Sequence, residues 1–356
     1  MTLFKDQYFL TGILFAIAFI ITWVIIPVII KVAELKHLFD EPDDRKQHKA
    51  RTPTLGGAAI FAGLIISFSI FKDLLTVTDV RFLVPALIII FFAGIKDDIL
   101  ILTPIKKLLA QFMSAFLIVV LGNIKINSFY GLFGIQEIPY WFSIVFTIIA
   151  IITIINCYNL IDGVDGLAGS LGFLSSVSFG LWFFLNGHWS LVYLSFALSG
   201  SLLGFLIFNW QPAKIFMGDT GAMLIGFILA VLSIHFIELN KSRSIADEYW
   251  IHASPSVAIA VMAIPIFDMI RVFILRLVRK RSPFSADRNH LHHILLDLGF
   301  SHRQVVAILL FWSWVVILLA VLLRDTKSSA LLLLLILMVF LPSVGLQLYR
   351  NKRLLA

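Results

Sequence analysis

Long apolar runs broken by short polar intervals organise this chain. Eleven runs approach or exceed the roughly 20 residues that a helix needs to cross a hydrocarbon core. They cover 8–30, 55–71, 81–95, 107–121, 140–158, 168–185, 189–210, 220–238, 255–275, 304–323 and 329–348, with 81–95 and 107–121 the shortest. The first run follows Lys5, is longer than a signal-peptide core and has no small-residue cleavage site after it, so it reads as a spanning helix. Between runs, 122–139 carries Gly122, Gly131, Gly134 and Pro139 beside the alternation Ile124-Lys125-Ile126-Asn127, which predicts a short hairpin. The pattern predicts an all-α polytopic membrane protein, one domain over 1–356, with about 11 transmembrane helices.

Composition agrees. Of 356 residues, 60% are hydrophobic, 14% are charged and 33 are Phe, against about 25% charged residues in a soluble domain. Mean hydropathy is +0.98. No polar interval is long enough for a second, soluble domain. The lone Cys157 excludes an intramolecular disulfide and reads as a small apolar packing residue. The net charge of +7 is unevenly spread. An odd number of spans puts the termini on opposite sides. The intervals holding Lys31–Arg51, Lys96–Lys107, Lys214, Arg276–Arg303 and Arg350–Arg353 carry more than twice the Lys and Arg of the other set. The positive-inside rule then places the N-terminus outside and the C-terminus in the cytoplasm.

The polar clusters all fall on that cytoplasmic side, just past apolar runs. Carboxylates beside a bilayer are costly and point to function. Asp97-Asp98 sits where the helix macrodipole disfavours negative charge, which suggests a cation; a solvated helix end with Lys96 as counter-ion is the plain alternative. Asn156, Asn159, Asp162 and Asp165 recur every third residue. The first two share a helix face, and Gly163 and Gly166 then break the helix. Four oxygen-bearing side chains resemble a strip for a hard cation or a sugar, and capping accounts for one or two of them. Asp219, in Phe216-Met217-Gly218-Asp219-Thr220-Gly221, is either a helix cap or a cation ligand beside glycines that admit close backbone approach.

Arg288, His290, His292 and His293 put three of the nine histidines behind an arginine. No cysteine or second histidine cluster completes a zinc site, so diphosphate binding fits better. Asp40, Arg45, Lys46, His48, Lys49 and Arg51 read as a loop for an anionic ligand, or simply as a positive-inside loop. Asp268 and Arg271, an i,i+3 pair within a span, read as mutual charge neutralisation.

Five motifs in order carry a family resemblance: Arg51-Thr52-Pro53-Thr54-Leu55-Gly56-Gly57, Asp97-Asp98, Asn159-Leu160-Ile161-Asp162-Gly163-Val164-Asp165-Gly166, Phe216 to Gly221, and His290-Leu291-His292-His293. From about Asp40 to Arg303 the chain resembles the polyprenyl-phosphate N-acetylhexosamine-1-phosphate transferases. It is closer to the WecA/TagO branch than to the MraY branch. The MraY pattern has a lysine where this chain has Ile101, and an unbroken histidine triplet where Leu291 intervenes.

The resemblance implies UDP-GlcNAc as donor, undecaprenyl phosphate as acceptor, release of UMP, Mg²⁺ (or Mn²⁺) as cofactor, and a homodimer in a bacterial cytoplasmic membrane. No nucleic-acid partner is expected. The resemblance makes Asp219 and Asn159 metal ligands and Lys107 a phosphate-binding lysine. We expect catalytic roles for Asp97, Asp98, Asp162 and Asp165, with Asp97 as a candidate base and Asp98 its partner. Arg288 and the histidines would bind phosphate, and Asn156 adds a polar group. Competing readings are the same reaction with another UDP-N-acetylhexosamine, a transporter, a CDP-alcohol phosphotransferase and a non-catalytic lipid-binding scaffold.

Overall fold

The apolar runs fold into helices. The computed structural model describes residues 2–36, 38, 52–70, 81–100, 102–241, 248–282 and 288–355. The helices are α1 (Thr2–Lys36), α2 (Gly56–Ser69), α3 (Leu83–Leu100), α4 (Pro104–Phe116), α5 (Tyr140–Ile161), α6 (Leu167–Leu185) and α7 (Trp189–Asn209). They continue with α8 (Gly218–Lys241), α9 (Ser254–Val261), α10 (Ala263–Val278), α11 (Leu291–Asp297), α12 (His302–Leu322) and α13 (Ser328–Leu355). Among the described residues, eight helices are long and apolar enough to cross a bilayer, or nine if the bent pair α9–α10 is one span. The two further expected spans correspond to α2, with 14 residues, and α3, whose last turns hold Lys96, Asp97 and Asp98. This is a helical polytopic membrane protein.

The core forms around α8, which is apolar and buried on nearly all sides. Helices α2, α3, α5, α6 and α9 pack on it. The outer helices instead show large apolar side chains to their surroundings, including Phe9, Trp141, Phe311 and Leu333, as a lipid-facing surface requires. Cys157 is buried with its Sγ 3.6 Å from Met269 Sδ, a packing role as expected.

Three details differ from the sequence expectation. The span expected at 255–275 is two helices meeting at 84°. Pro265, in the first turn of α10, has no N–H to continue the ladder back through Met262. Helix α3 runs on to Leu100, past the expected span end at 95, and holds Asp97 and Asp98 in its last turn, the helix-end position read from the sequence. The hairpin exists, but its strands are β1 (Ser128–Leu132) and β2 (Ile135–Glu137), joined through Phe133-Gly134 with positive φ at both. The alternating stretch 124–127 is not a strand because helix side chains take its backbone donors. Ile126 N–H donates to Thr147 Oγ1 and Asn127 N–H to Glu238 Oε1.

Glu238, near the C-terminal end of α8, also accepts from Tyr130 of the hairpin. Asp219 opens the same helix. At about 1.5 Å rise per residue the two ends lie roughly 30 Å apart, close to the thickness of a hydrocarbon core. The chain therefore has a hairpin end and, opposite it, an end that gathers the acidic motifs.

Candidate active site

The first turn of α8 is built by its neighbours. Asp98, reaching across from α3, accepts from Asp219 N–H at 2.7 Å, Thr220 N–H at 3.2 Å and Thr220 Oγ at 2.5 Å. It satisfies donors that a helix N-terminus leaves open, doing in trans what a cap residue does in sequence. Carbonyls of the preceding segment serve α2: Gly56 and Gly57 N–H donate to Phe216 O and Met217 O at 3.0 and 2.8 Å, while Phe216 N–H donates to Pro53 O. Two of the five sequence motifs thus pair directly. A Cβ on Gly57 would collide with the Gly221 backbone, and one on Gly94 with Thr220. Glycine at both positions is what allows α2 and α3 to approach α8 this closely.

Capping leaves the Asp219 side chain free for other partners. It pairs with the Lys107 ammonium from α4 and accepts from Asn159 Nδ2 at the end of α5. Lys107 also pairs with the buried Asp97 at 2.5 Å, and Asp97 accepts from Leu102 N–H. Four helices meet in this cluster. Thr103 and Pro104 start α4 close to Asp97, with proline at the helical position that needs no donor, and Lys107 follows one turn later. Asn156 lies farther in, donating to Gln111 Oε1 of α4 at 3.0 Å and to Ile152 O.

Asp162 ends α5 and Asp165 lies before α6, which opens after Gly166 at φ +81°. The helix break read from Gly163 and Gly166 is borne out. Burial pushes the Asp162 carboxyl up to about 8, with the charges of Asp219, Asp98 and Asp165 adding to the rise. Below pH about 4 the group is protonated in both folded and unfolded chains. Between about 4 and 8 only the folded chain holds the proton, so stability falls as pH rises through that window. We expect the unfolding midpoint, measured with a metal chelator present, to drop from pH 5 to pH 8 and the drop to shrink in Asp162→Asn.

Asp165 holds a neighbouring loop. It is 5% exposed, accepts from Ala213 N–H at 3.3 Å and lies 3.6 Å from His302 Nδ1. Asn209 ties the same junction, accepting from Gly166 N–H and donating to Ile215 O. Asn209, His302 and Gln111 were not picked out by the sequence reading. Their one signal is a polar residue at the end of, or along, an apolar run, which becomes specific only when the partner helix is known.

The histidine segment reads from sequence as a loop and is in part a helix. His290 is the N-cap of α11, placing His292 and His293 on its first turn. The His292 imidazole lies where a side chain on Gly163 would have to go, joining α11 to the Asp162–Asp165 segment. Burial pushes His293 down to about 4, helped by Arg288 and His290, and lowers His292 well below the usual histidine range, so both are neutral at pH 7. His290 Nδ1 bonds the buried Asp268 at 2.8 Å, and the other Asp268 oxygen takes Arg271 and Leu291 N–H. The neutralising pair read at Asp268 and Arg271 is present, and it also anchors the histidine segment. Arg288 is half exposed and pairs with Asp297 at 3.4 Å, not with the carboxylate cluster. Asp40, Arg45, Lys46, His48, Lys49 and Arg51 lie outside the described residues.

Among the described residues no three His, Cys, Asp or Glu side chains converge to hold a metal. Two carboxylates and an amide do converge, and Mg²⁺ commonly takes one or two carboxylates and completes its shell with substrate phosphate and water. Asp97, Asp219 and Asn159 fit such a shared site.

Fold and cluster together define a membrane-embedded enzyme whose oxygen donors and cations gather at one end of a helical bundle. Residues 80–237 match the model of glycosyl transferase family 4. The chain is 31% identical over 302 residues to the undecaprenyl-phosphate alpha-N-acetylglucosaminyl 1-phosphate transferase of Salmonella typhi, covering 82% of this chain and 78% of that one. It is 30% identical over 296 residues to a probable undecaprenyl-phosphate N-acetylglucosaminyl 1-phosphate transferase of Bacillus subtilis (strain 168), with 83% and 80% covered. A Haemophilus influenzae protein with the same name as the Salmonella relative is 32% identical over 282 residues, 78% of this chain and 76% of its own. The chain belongs to glycosyl transferase family 4, in its WecA/TagO-like branch, and is a transferase.

Proposed function

We propose that this enzyme transfers GlcNAc-1-phosphate from UDP-GlcNAc to undecaprenyl phosphate. The products are undecaprenyl-diphospho-GlcNAc and UMP, the first lipid-linked intermediate of a cell-envelope glycan. The reaction takes place at the cytoplasmic face of a bacterial inner membrane, with eleven spans, the N-terminus outside and the C-terminus inside. The observation that carries this reading is the meeting of Asp97, Lys107, Asn159 and Asp219 from four helices at one end of the bundle. The relatives' names support the choice of substrates.

An oxygen of the lipid phosphate attacks the β-phosphorus of the donor. The bond from that phosphorus to the bridging oxygen breaks, and UMP leaves with the electron pair. One diphosphate replaces another, so the reaction is near energetic balance. The barrier is charge crowding, which positioned cations relieve. Mg²⁺ held by Asp219, Asn159 and Asp97 would neutralise charge on the diphosphate. Lys107 binds phosphate beside it, and Arg288, His290, His292 and His293 are assigned as the further groups that bind substrate phosphate. A phosphate monoester has its second pKa near 6, so the acceptor is largely dianionic at pH 7. Asp97 therefore acts by holding cations, not by removing a proton. Asp162 would supply a further carboxylate near a bound cation, and Asp98 and Asp165 position α8 and the 211–217 segment.

The test offers purified protein a panel of UDP-sugars with undecaprenyl phosphate and Mg²⁺. UDP-GlcNAc is expected to give the highest rate of UMP release, and a clear preference for another UDP-N-acetylhexosamine reassigns the donor. A chiral β-phosphorus is expected to invert; retention requires an aspartyl-phosphate intermediate and rejects the single step.

A further inference from the structure

Two carboxylates on different helices close on one ammonium. Lys107 Nζ pairs with Asp97 at 2.5 Å and also with Asp219, whose other oxygen is held by Asn159. The Asp97 side chain is 6% exposed, while those of Lys107 and Asp219 are 28% and 26% exposed. The acids are fixed from outside the pair. Leu102 N–H holds Asp97, and Asp98 holds the backbone of Asp219 through the first turn of α8. The lysine ends a flexible four-carbon stem, so it is the member of the trio able to move.

The oxygens that hold Lys107 are those assigned above to the divalent cation. Mg²⁺ needs oxygen ligands at about 2.0–2.1 Å in near-octahedral order. An ammonium bridging the same two carboxylates fills that gap, and two cations in contact there repel. We infer that Lys107 competes with the divalent cation for Asp97 and Asp219. It lowers the affinity for the cation and leaves the acids when the cation enters. This rests on the cation assignment made under Proposed function.

The exchange has a physical use. Two acids this close repel unless a positive charge lies between them, so Lys107 keeps the cluster assembled while no cation is bound. Once displaced, the ammonium needs a new anion, and a substrate diphosphate at the cation provides one. Cation and diphosphate therefore bind cooperatively, with Lys107 as the link.

Mn²⁺ binding to the full-length protein, read from its paramagnetic resonance signal without substrate, tests this. Lys107→Gln is expected to bind Mn²⁺ roughly tenfold tighter than wild type, although it turns over more slowly. Lys106→Gln, which removes a neighbouring exposed charge, is expected to stay within about twofold of wild type, which separates competition from a general loss of positive charge. UDP is expected to narrow the gap between wild type and Lys107→Gln, because only wild type has an ammonium to give to phosphate. Equal or weaker Mn²⁺ binding by a folded Lys107→Gln overturns the inference, as does an equal gain in Lys106→Gln. If Lys107→Gln does not fold, Lys107→Met replaces it under the same criteria. Asp219→Asn separates the two levels: Mn²⁺ binding that survives this change at wild-type strength sinks the cation assignment itself.

Discussion

Asp219→Ala is expected to abolish UMP release, lowering turnover by roughly 10³-fold or more, as removal of a group that neutralises transition-state charge does. The fold is expected to survive. The carboxylate faces Lys107 and Asn159, while its backbone N–H, which alanine retains, keeps the bond to Asp98. Lys107 still has Asp97 as counter-ion. Asp219→Asn keeps the shape and loses the charge, so it is expected to fall nearly as far. A non-catalytic lipid-binding scaffold would tolerate both changes. Retained UMP release by either variant, with unaltered folding, removes Asp219 from the chemistry.

The second large effect is on stability. Asp268→Ala is expected to cost about 3–5 kcal/mol, the range for removing one partner of a buried ion pair. Arg271 is 0% exposed and loses its only paired carboxylate among the described residues. His290 and Leu291 N–H lose their acceptor at the same time, so the histidine segment loses two bonds to α10 and keeps the one from Arg271 to Asn289 O. Replacing both partners, Asp268→Leu with Arg271→Met, is expected to recover much of that loss because no uncompensated charge remains. Unfolding midpoints of the single and double variants in detergent measure this. A single variant within about 1 kcal/mol of wild type would mean that other groups neutralise Arg271.

Much of this was legible in the chain because a bilayer imposes a coarse code. Apolar length marks the helices, and costly polar residues mark the site. Asp97, Asn159, Asp162 and Asp219 were picked out by that logic, and the structure joins Asp97 to Asp219 through Lys107 and Asn159 to Asp219 directly, with Asp162 close enough for the charge of Asp219 to affect it. What could not be read was which job each acid does. Asp97 and Asp98 are adjacent in sequence and equivalent to any local rule. A helix turn of about 100° per residue separates their directions, so Asp97 faces Lys107 while Asp98 caps α8. The same limit applies to the 84° bend at Met262 and to the strands after Asn127, where a missing donor and distant side chains decide. It applies equally to Asn209 and His302, whose partners lie in other helices and loops.

The most direct measurement follows the β-phosphorus of UDP-GlcNAc, labelled with ³²P, in purified protein with undecaprenyl phosphate and Mg²⁺. Label in the lipid fraction, matched one-to-one by UMP and absent when either acceptor or divalent cation is omitted, is the expected result. Label that stays in the nucleotide sugar, or crosses a vesicle membrane unchanged, contradicts a transferase site at this end of the bundle and points to transport instead.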